Sequence, residues 1–195
     1  MLNTKRFTKR FGGSLMGCLL LSSLTLPASA SPDKFNLPGA HFYSGSGSIL
    51  FLAAGVGLPL LRDGANGKNH ALRAADAIGT SLLLTEGLKT VFREKRPDSN
   101  SHDSFPSGHA TAAFAAATME SQWHPKEAPL WYLGATLISV SRVSTNRHYT
   151  QDVIAGAAIG YATARIELAQ RRGLVLHPFI DPSAGAYGLQ FTKGL

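Results

Sequence analysis

Two histidines have sequence neighbours that would allow them to act on an anion. The first is His109. The stretch SFPSGHATAAF, residues 104–114, joins a polar loop to an alanine-rich segment, so His109 falls in the first turn of a predicted helix. The start of a helix carries unpaired backbone N–H groups and the positive end of the helix dipole, and it therefore attracts anions. We expect His109 to lie beside a negative group, although a lone histidine here is also compatible with an ordinary solvated side chain.

The second is His148, in the stretch SRVSTNRHYTQDV that runs from Ser141 to Val153. Asp152 follows it by four residues, which is one helical turn. A carboxylate in that place can accept a hydrogen bond from Nδ1–H and leave Nε2 free to attack a substrate. The alternative is a capping Thr150 followed by an ordinary acidic residue in the first turn.

Three cations precede both histidines. Lys89, Arg93 and Arg96 are spaced i, i+4 and i+7, so they share one face if the helix extends that far, and Pro97 then stops it. Taken alone, such a stripe indicates a solvated helix face.

Together the segments resemble the type 2 phosphatidic acid phosphatase superfamily, which also includes bacterial acid phosphatases and vanadium haloperoxidases. The resemblance rests on three blocks in the right order: Lys89-x6-Arg96-Pro97, Pro106-Ser-Gly-His109 and Ser141-Arg142-x5-His148-x3-Asp152. It extends from about residue 76 to residue 165.

The resemblance implies a role for each matching residue. His148 would be the nucleophile that forms a phosphohistidine, Asp152 would orient it, and His109 would protonate the leaving oxygen and then activate water. The phosphate oxygens would be bound by a set of cations and small residues, Lys89, Arg96, Ser107, Gly108 and Arg142. Such a cluster can stabilise the charge of phosphoryl transfer without a metal or another cofactor.

The implied activity is that of a phosphoric monoester hydrolase acting on phosphate monoesters or pyrophosphates, lipid-linked substrates included. A vanadate-dependent haloperoxidase and a secreted, non-catalytic phosphate-binding protein are the alternatives. A serine hydrolase built on Ser107, His148 and Asp152 is disfavoured, because Ser107 lacks a Gly-x-Ser-x-Gly setting.

The pattern of apolar residues predicts an all-α fold, a single-domain bundle of about five helices with a short β-like C-terminal appendage. The helical domain is expected over residues 48–172, after an extended lead-in over residues 31–47. Its clearest helices are predicted over 70–93, 107–123, 130–143 and 150–172, and the tail over 173–195 is expected to form two short strands. Gly156 and Gly160 in the last helix have a spacing that permits close helix approach.

Residues 1–30 have the composition of a secretory signal peptide: four basic residues, an apolar run and an Ala-x-Ala sequence ending at Ala30. Cleavage after Ala30 and a periplasmic location are expected, with retention as a membrane anchor as the alternative. The lone Cys18 would leave with this segment, which excludes thiolate zinc sites and cysteine nucleophiles from the mature chain.

Charge bears on the partners of the chain. The formal net charge is +7, but four of the 19 basic residues and none of the 12 acidic ones lie in residues 1–30, so the mature chain would carry +3. No basic run then remains to indicate nucleic-acid binding. The expected partner is a phosphorylated small molecule or lipid. The uncharged stretch from Phe35 to Leu61 leaves association with a membrane surface open.

Overall fold

The computed structural model describes residues 36–170, 176–181 and 186–191. The predicted signal peptide, its cleavage site and the start of the lead-in lie outside these described residues. In the described part, six α-helices account for most of the chain, and the predicted all-α class is confirmed. They are α1 (Ala40–Ser44), α2 (Ser46–Arg62), α3 (Gly67–Phe92), α4 (Gly108–Trp123), α5 (Ala128–Ser144) and α6 (Thr150–Ala169). Two strands, β1 (Leu176–Asp181) and β2 (Ala186–Phe191), pair antiparallel.

Helix α4 is the centre of the bundle and contacts α2, α3, α5 and α6. Its alanines are almost all fully buried, so neighbouring helices approach its backbone closely. On one side Ala115 and Met119 pack with alanines of α3 and α6, and on the other Ala113 and Ala117 pack against Trp131 and its neighbours on α5. The N-terminus of α4, which carries the PSGH turn, is therefore held from several sides.

Helix α6 makes the closest approach to α4, as the small residues at 156 and 160 predict. A Cβ atom at Gly160 would lie 2.1 Å from the backbone oxygen of Thr111, and one at Gly156 would lie 2.5 Å from that of Ser107. The backbone N–H of Ser107 also donates to the carbonyl of Asp152 at 3.0 Å. These contacts fix the start of α4 against the start of α6.

Replacing Gly160 with alanine is expected to destabilise the fold by roughly 1–3 kcal/mol, because the added methyl meets backbone atoms that cannot rotate away. Gly79 in α3 is the matched control, since a Cβ there meets nothing within 4 Å. Gly79→Ala should stabilise the chain by about 0.5–1 kcal/mol through helix propensity. Urea denaturation measures both, and equal effects of the two substitutions would contradict the close packing of α6 on α4.

Two sequence-based expectations are wrong in detail. The backbone of the lead-in does not remain extended after residue 39. Gly39 has a left-handed backbone (φ 75°), and helix α1 follows it and packs on α5. Helix α3 ends at Phe92, where Arg93 takes a left-handed conformation, so Arg96 lies in the following loop and does not share the helix face with Lys89.

Among the described helices, none combines the length with the apolar composition that crossing a membrane would require.

Candidate active site

Six of the eight predicted site residues line one cavity, which we call the inner cavity. Its volume is about 450 Å³, and it opens beside the N-terminus of α4. Those six are Lys89, Arg96, Gly108, His109, Arg142 and His148. The remaining walls are largely apolar and come from α2, α3 and α4. Ser107 and Asp152 are not among the lining residues and are fully buried.

His148 is held in a defined orientation at the wall of the inner cavity. Only 3% of the residue is exposed, and its Nδ1 lies 2.8 Å from the backbone carbonyl oxygen of Ser104. Because a carbonyl can only accept a hydrogen bond, Nδ1 must carry the proton. The neutral ring then has its lone pair on Nε2, the atom that a nucleophilic histidine uses.

Asp152 orients His148 less directly than the sequence predicts. Its Oδ2 lies 3.4 Å from His148 Nδ1, farther than the Ser104 carbonyl oxygen. The same Oδ2 accepts hydrogen bonds from the Ser104 hydroxyl at 2.5 Å and from the Tyr149 backbone N–H at 2.9 Å. Asp152 therefore fixes Ser104, whose carbonyl in turn fixes the orientation of the imidazole.

His109 faces a strongly positive surrounding. Burial, followed by the charges of Arg142, His148, Lys89 and Arg96, lowers the pKa of His109 from 6.5 to about 4. Each of these causes disfavours the protonated ring. In the free protein the ring is therefore neutral at pH 7.

A bound phosphate should reverse part of this shift, because its negative charge offsets the cations and favours the protonated imidazole. We expect added inorganic phosphate to raise the pKa of His109 from about 4 by one unit or more, as followed by NMR titration of the ring protons. The exposed His41 reports general salt effects. If phosphate binds saturably but the pKa of His109 does not rise, His109 does not lie beside the bound anion.

Arg142, at the end of α5, supplies a buried cation. Only 8% of the residue is exposed, and Nη1 donates to the hydroxyl of Ser44 in α1. Burial first, with the nearby charges of Arg96 and Arg147, lowers the pKa of Arg142 to about 10, so the group stays charged at neutral pH. Its Nε is buried and has no hydrogen-bond partner among the described residues, so this N–H is an unsatisfied donor.

Lys89 and Arg96 are held by carboxylates. Lys89 Nζ lies 2.7 Å from Oε1 of Glu86, whose side chain is 63% exposed. Arg96 forms a two-point pair with Asp103, from Nε at 2.8 Å and from Nη2 at 2.9 Å. These pairs fix both cations at the cavity wall.

The PSGH turn contributes small groups to the same place. Ser107 is the N-cap residue of α4, yet its hydroxyl makes no capping bond and is buried without a partner among the described residues. A Cβ at Gly108 would lie 3.8 Å from Lys89 Nζ, so the glycine brings the helix start close to the ammonium group. A hydroxyl, the first N–H groups of a helix and nearby cations together form a suitable cradle for an oxyanion.

Sequence reasoning missed the residues that hold the predicted ones in place. Asp103 and Ser104 lie three and two residues before the PSGH block, and this closeness was the only available signal. No signal in the sequence pointed to Ser44, since it lies 98 residues from its partner Arg142. Over the described ranges, no three His, Asp, Glu or Cys side chains are grouped as ligands of a metal ion.

Comparison with known proteins assigns the chain to a family. Residues 70–174 match the model of the PAP2 superfamily. The chain is 36% identical over 125 residues to lipid A 1-phosphatase of Porphyromonas gingivalis, a match that covers 61% of this chain and 27% of that protein. It is 36% identical over 62 residues to the bacitracin transport permease protein BcrC of Bacillus licheniformis, covering 32% of this chain and 30% of that one.

The chain thus spans less than a third of either curated relative. Among solved structures, Aquifex aeolicus LpxE is similar with 26% identity and a TM-score of 0.51, covering 69% of this chain and 95% of that one. The family model matches more than half of the chain and includes all three sequence blocks. This chain therefore belongs to the PAP2 superfamily.

Proposed function

We propose that the chain is a metal-independent phosphatase that hydrolyses a phosphate monoester or diphosphate, with His148 as the nucleophile. The observation that carries the proposal is the inner cavity. There two histidines face a group of three cations, Lys89, Arg96 and Arg142. Next to this group, two buried donors, Arg142 Nε–H and the hydroxyl of Ser107, which precedes the lining residue Gly108, have no partner within the described part of the chain. Unpaired buried donors are costly in a folded protein, and an oxyanion would satisfy both.

The proposed reaction has two steps. His148 Nε2 attacks phosphorus, the bond to the leaving oxygen breaks, and His109 gives that oxygen its proton. Water then attacks the phosphohistidine, His109 takes a proton from the water, and inorganic phosphate leaves. Covalent catalysis divides one difficult displacement into two easier ones, while the cations stabilise the spread negative charge.

We infer that the substrate is a lipid phosphate. The relative from P. gingivalis is a lipid A 1-phosphatase. Two apolar residues of α2, Ile49 and Leu52, line the inner cavity. Ile49 lines the cavity and is 68% exposed, and its neighbour Leu50 is 63% exposed. Exposed apolar side chains beside the cavity suit contact with a membrane surface that carries the substrate.

Phosphate release from a long-chain lipid phosphate and from a sugar phosphate, both in EDTA, tests the proposal. We expect release from the lipid phosphate, little effect of EDTA and inhibition by vanadate, which resembles the five-coordinate transition state. Loss of activity in EDTA, restored by a divalent metal, would contradict the metal-independent mechanism. A preference for the sugar phosphate would contradict the lipid assignment only.

A further inference from the structure

A second cavity adjoins the first and has no role in the chemistry described so far. This outer cavity has a volume of about 420 Å³ and is lined by Glu86, Lys89, Thr90, Arg93, His102 and Asp103. Glu86 and Lys89 line both cavities, so their ion pair forms the shared wall. Lys89 therefore borders both cavities, so an anionic group in either one would lie near the same cation.

Arg93 is a cation of the outer cavity that is available to a ligand. Its side chain forms no hydrogen bond or ion pair with any described side chain, whereas Lys89 and Arg96 are each held by a carboxylate. Asp103 is already neutralised by Arg96, and Glu86 by Lys89. The charge left over in the outer cavity is thus the positive charge of Arg93.

The backbone of Arg93 adds a second observation. Its φ of 47° and ψ of 40° lie in the left-handed region, directly after the last residue of α3. This position of a helix end is usually glycine, because a side chain there is strained. An arginine in a place that glycine would fill more easily points to a role for its side chain.

We propose that the outer cavity binds a second phosphoryl group on the leaving side of the substrate and that Arg93 determines this specificity. The proposal rests on the phosphatase function of the inner cavity. With a diphosphate monoester, the terminal phosphate occupies the inner cavity and the phosphate next to the alkyl group occupies the outer one. Arg93 and Lys89 then stabilise the charge of the departing alkyl phosphate.

The step balances without another reactant. A bond forms between His148 Nε2 and the terminal phosphorus, and the bond from that phosphorus to the bridging oxygen breaks. The bridging oxygen leaves on the alkyl monophosphate with a proton from His109. Water then releases inorganic phosphate and restores His148.

The test compares an alkyl diphosphate with the monophosphate of the same alcohol, in the wild type and in Arg93→Gly and Arg93→Ala. Glycine is compatible with the left-handed backbone, so Arg93→Gly removes the side chain without strain. We expect kcat/KM for the diphosphate to fall roughly tenfold, the cost of one charge-assisted hydrogen bond. For the monophosphate, kcat/KM should change less than about twofold, since Arg93 would not contact that substrate.

Lys95→Ala is the matched control, since Lys95 is an exposed cation two residues away that lines neither cavity. The inference is overturned if the Arg93 variants change kcat/KM equally for both substrates, or for neither. It is also overturned if Lys95→Ala lowers kcat/KM for the diphosphate alone. A wild type that releases phosphate from neither substrate overturns the proposed phosphatase function as well. Release from the monophosphate alone overturns only the role of the outer cavity.

Discussion

Replacing His148 with alanine is expected to lower kcat by at least ~10⁴-fold, because the variant has no atom that can form the covalent intermediate. Lys89, Arg96 and Arg142 remain in place, so inorganic phosphate and vanadate should still bind. The wild type, quenched with base after mixing with ³²P-labelled substrate, should carry label that acid removes. The variant should carry none.

His41→Ala provides the control for this experiment. His41 is an exposed histidine of α1 that lines neither the inner nor the outer cavity, and its removal should leave kcat within about twofold. Substantial turnover by the His148 variant, or label that persists in it, would show that another residue is the nucleophile. The two-step mechanism would then be wrong even if the phosphate cradle is correct.

The helices that build the cavity were predictable from local pattern. The alanine-rich α4 begins one residue after the predicted start and ends at the predicted Trp123, and α6 begins at the predicted Thr150. Alanine favours helix, and an uninterrupted run of small residues leaves few other ways to bury the backbone. Helix α1 was missed because glycines surround it, and it depends on packing against α5 that no local window contains.

The site was predictable as a set of residues, whereas its internal contacts were not. The resemblance of the three sequence blocks to a known family indicated which side chains meet, and six of the eight line one cavity. The partner of His148 Nδ1 is a backbone carbonyl, a group that every residue has and that leaves no mark in the sequence. Similarly, the place of Arg96 depends on its pairing with Asp103 across a loop rather than on the period of a helix.

Replacing Arg142 with alanine is expected to lower kcat/KM by roughly 10²–10³-fold, the usual effect of removing one donor that stabilises a developing oxyanion. Arg142→Lys should recover only part of this loss. A lysine keeps the charge, but its single ammonium group cannot donate to Ser44 and also supply the separate N–H that Arg142 carries at Nε.

A purely structural role for Arg142 makes a different prediction, because the side chain is buried and also holds α1 through Ser44. In that case the melting temperature would fall, but phosphate would still stabilise the variant. A phosphate-binding role requires that the rise in Tm on adding phosphate be lost in Arg142→Ala, since ligand stabilisation follows affinity. Arg147→Ala is the matched control, for its side chain is 54% exposed and pairs with Asp98 outside the cavity. If Arg142→Ala keeps the phosphate-induced rise, the oxyanion must be bound by Lys89 and Arg96 alone, and the unpaired Nε–H has another purpose.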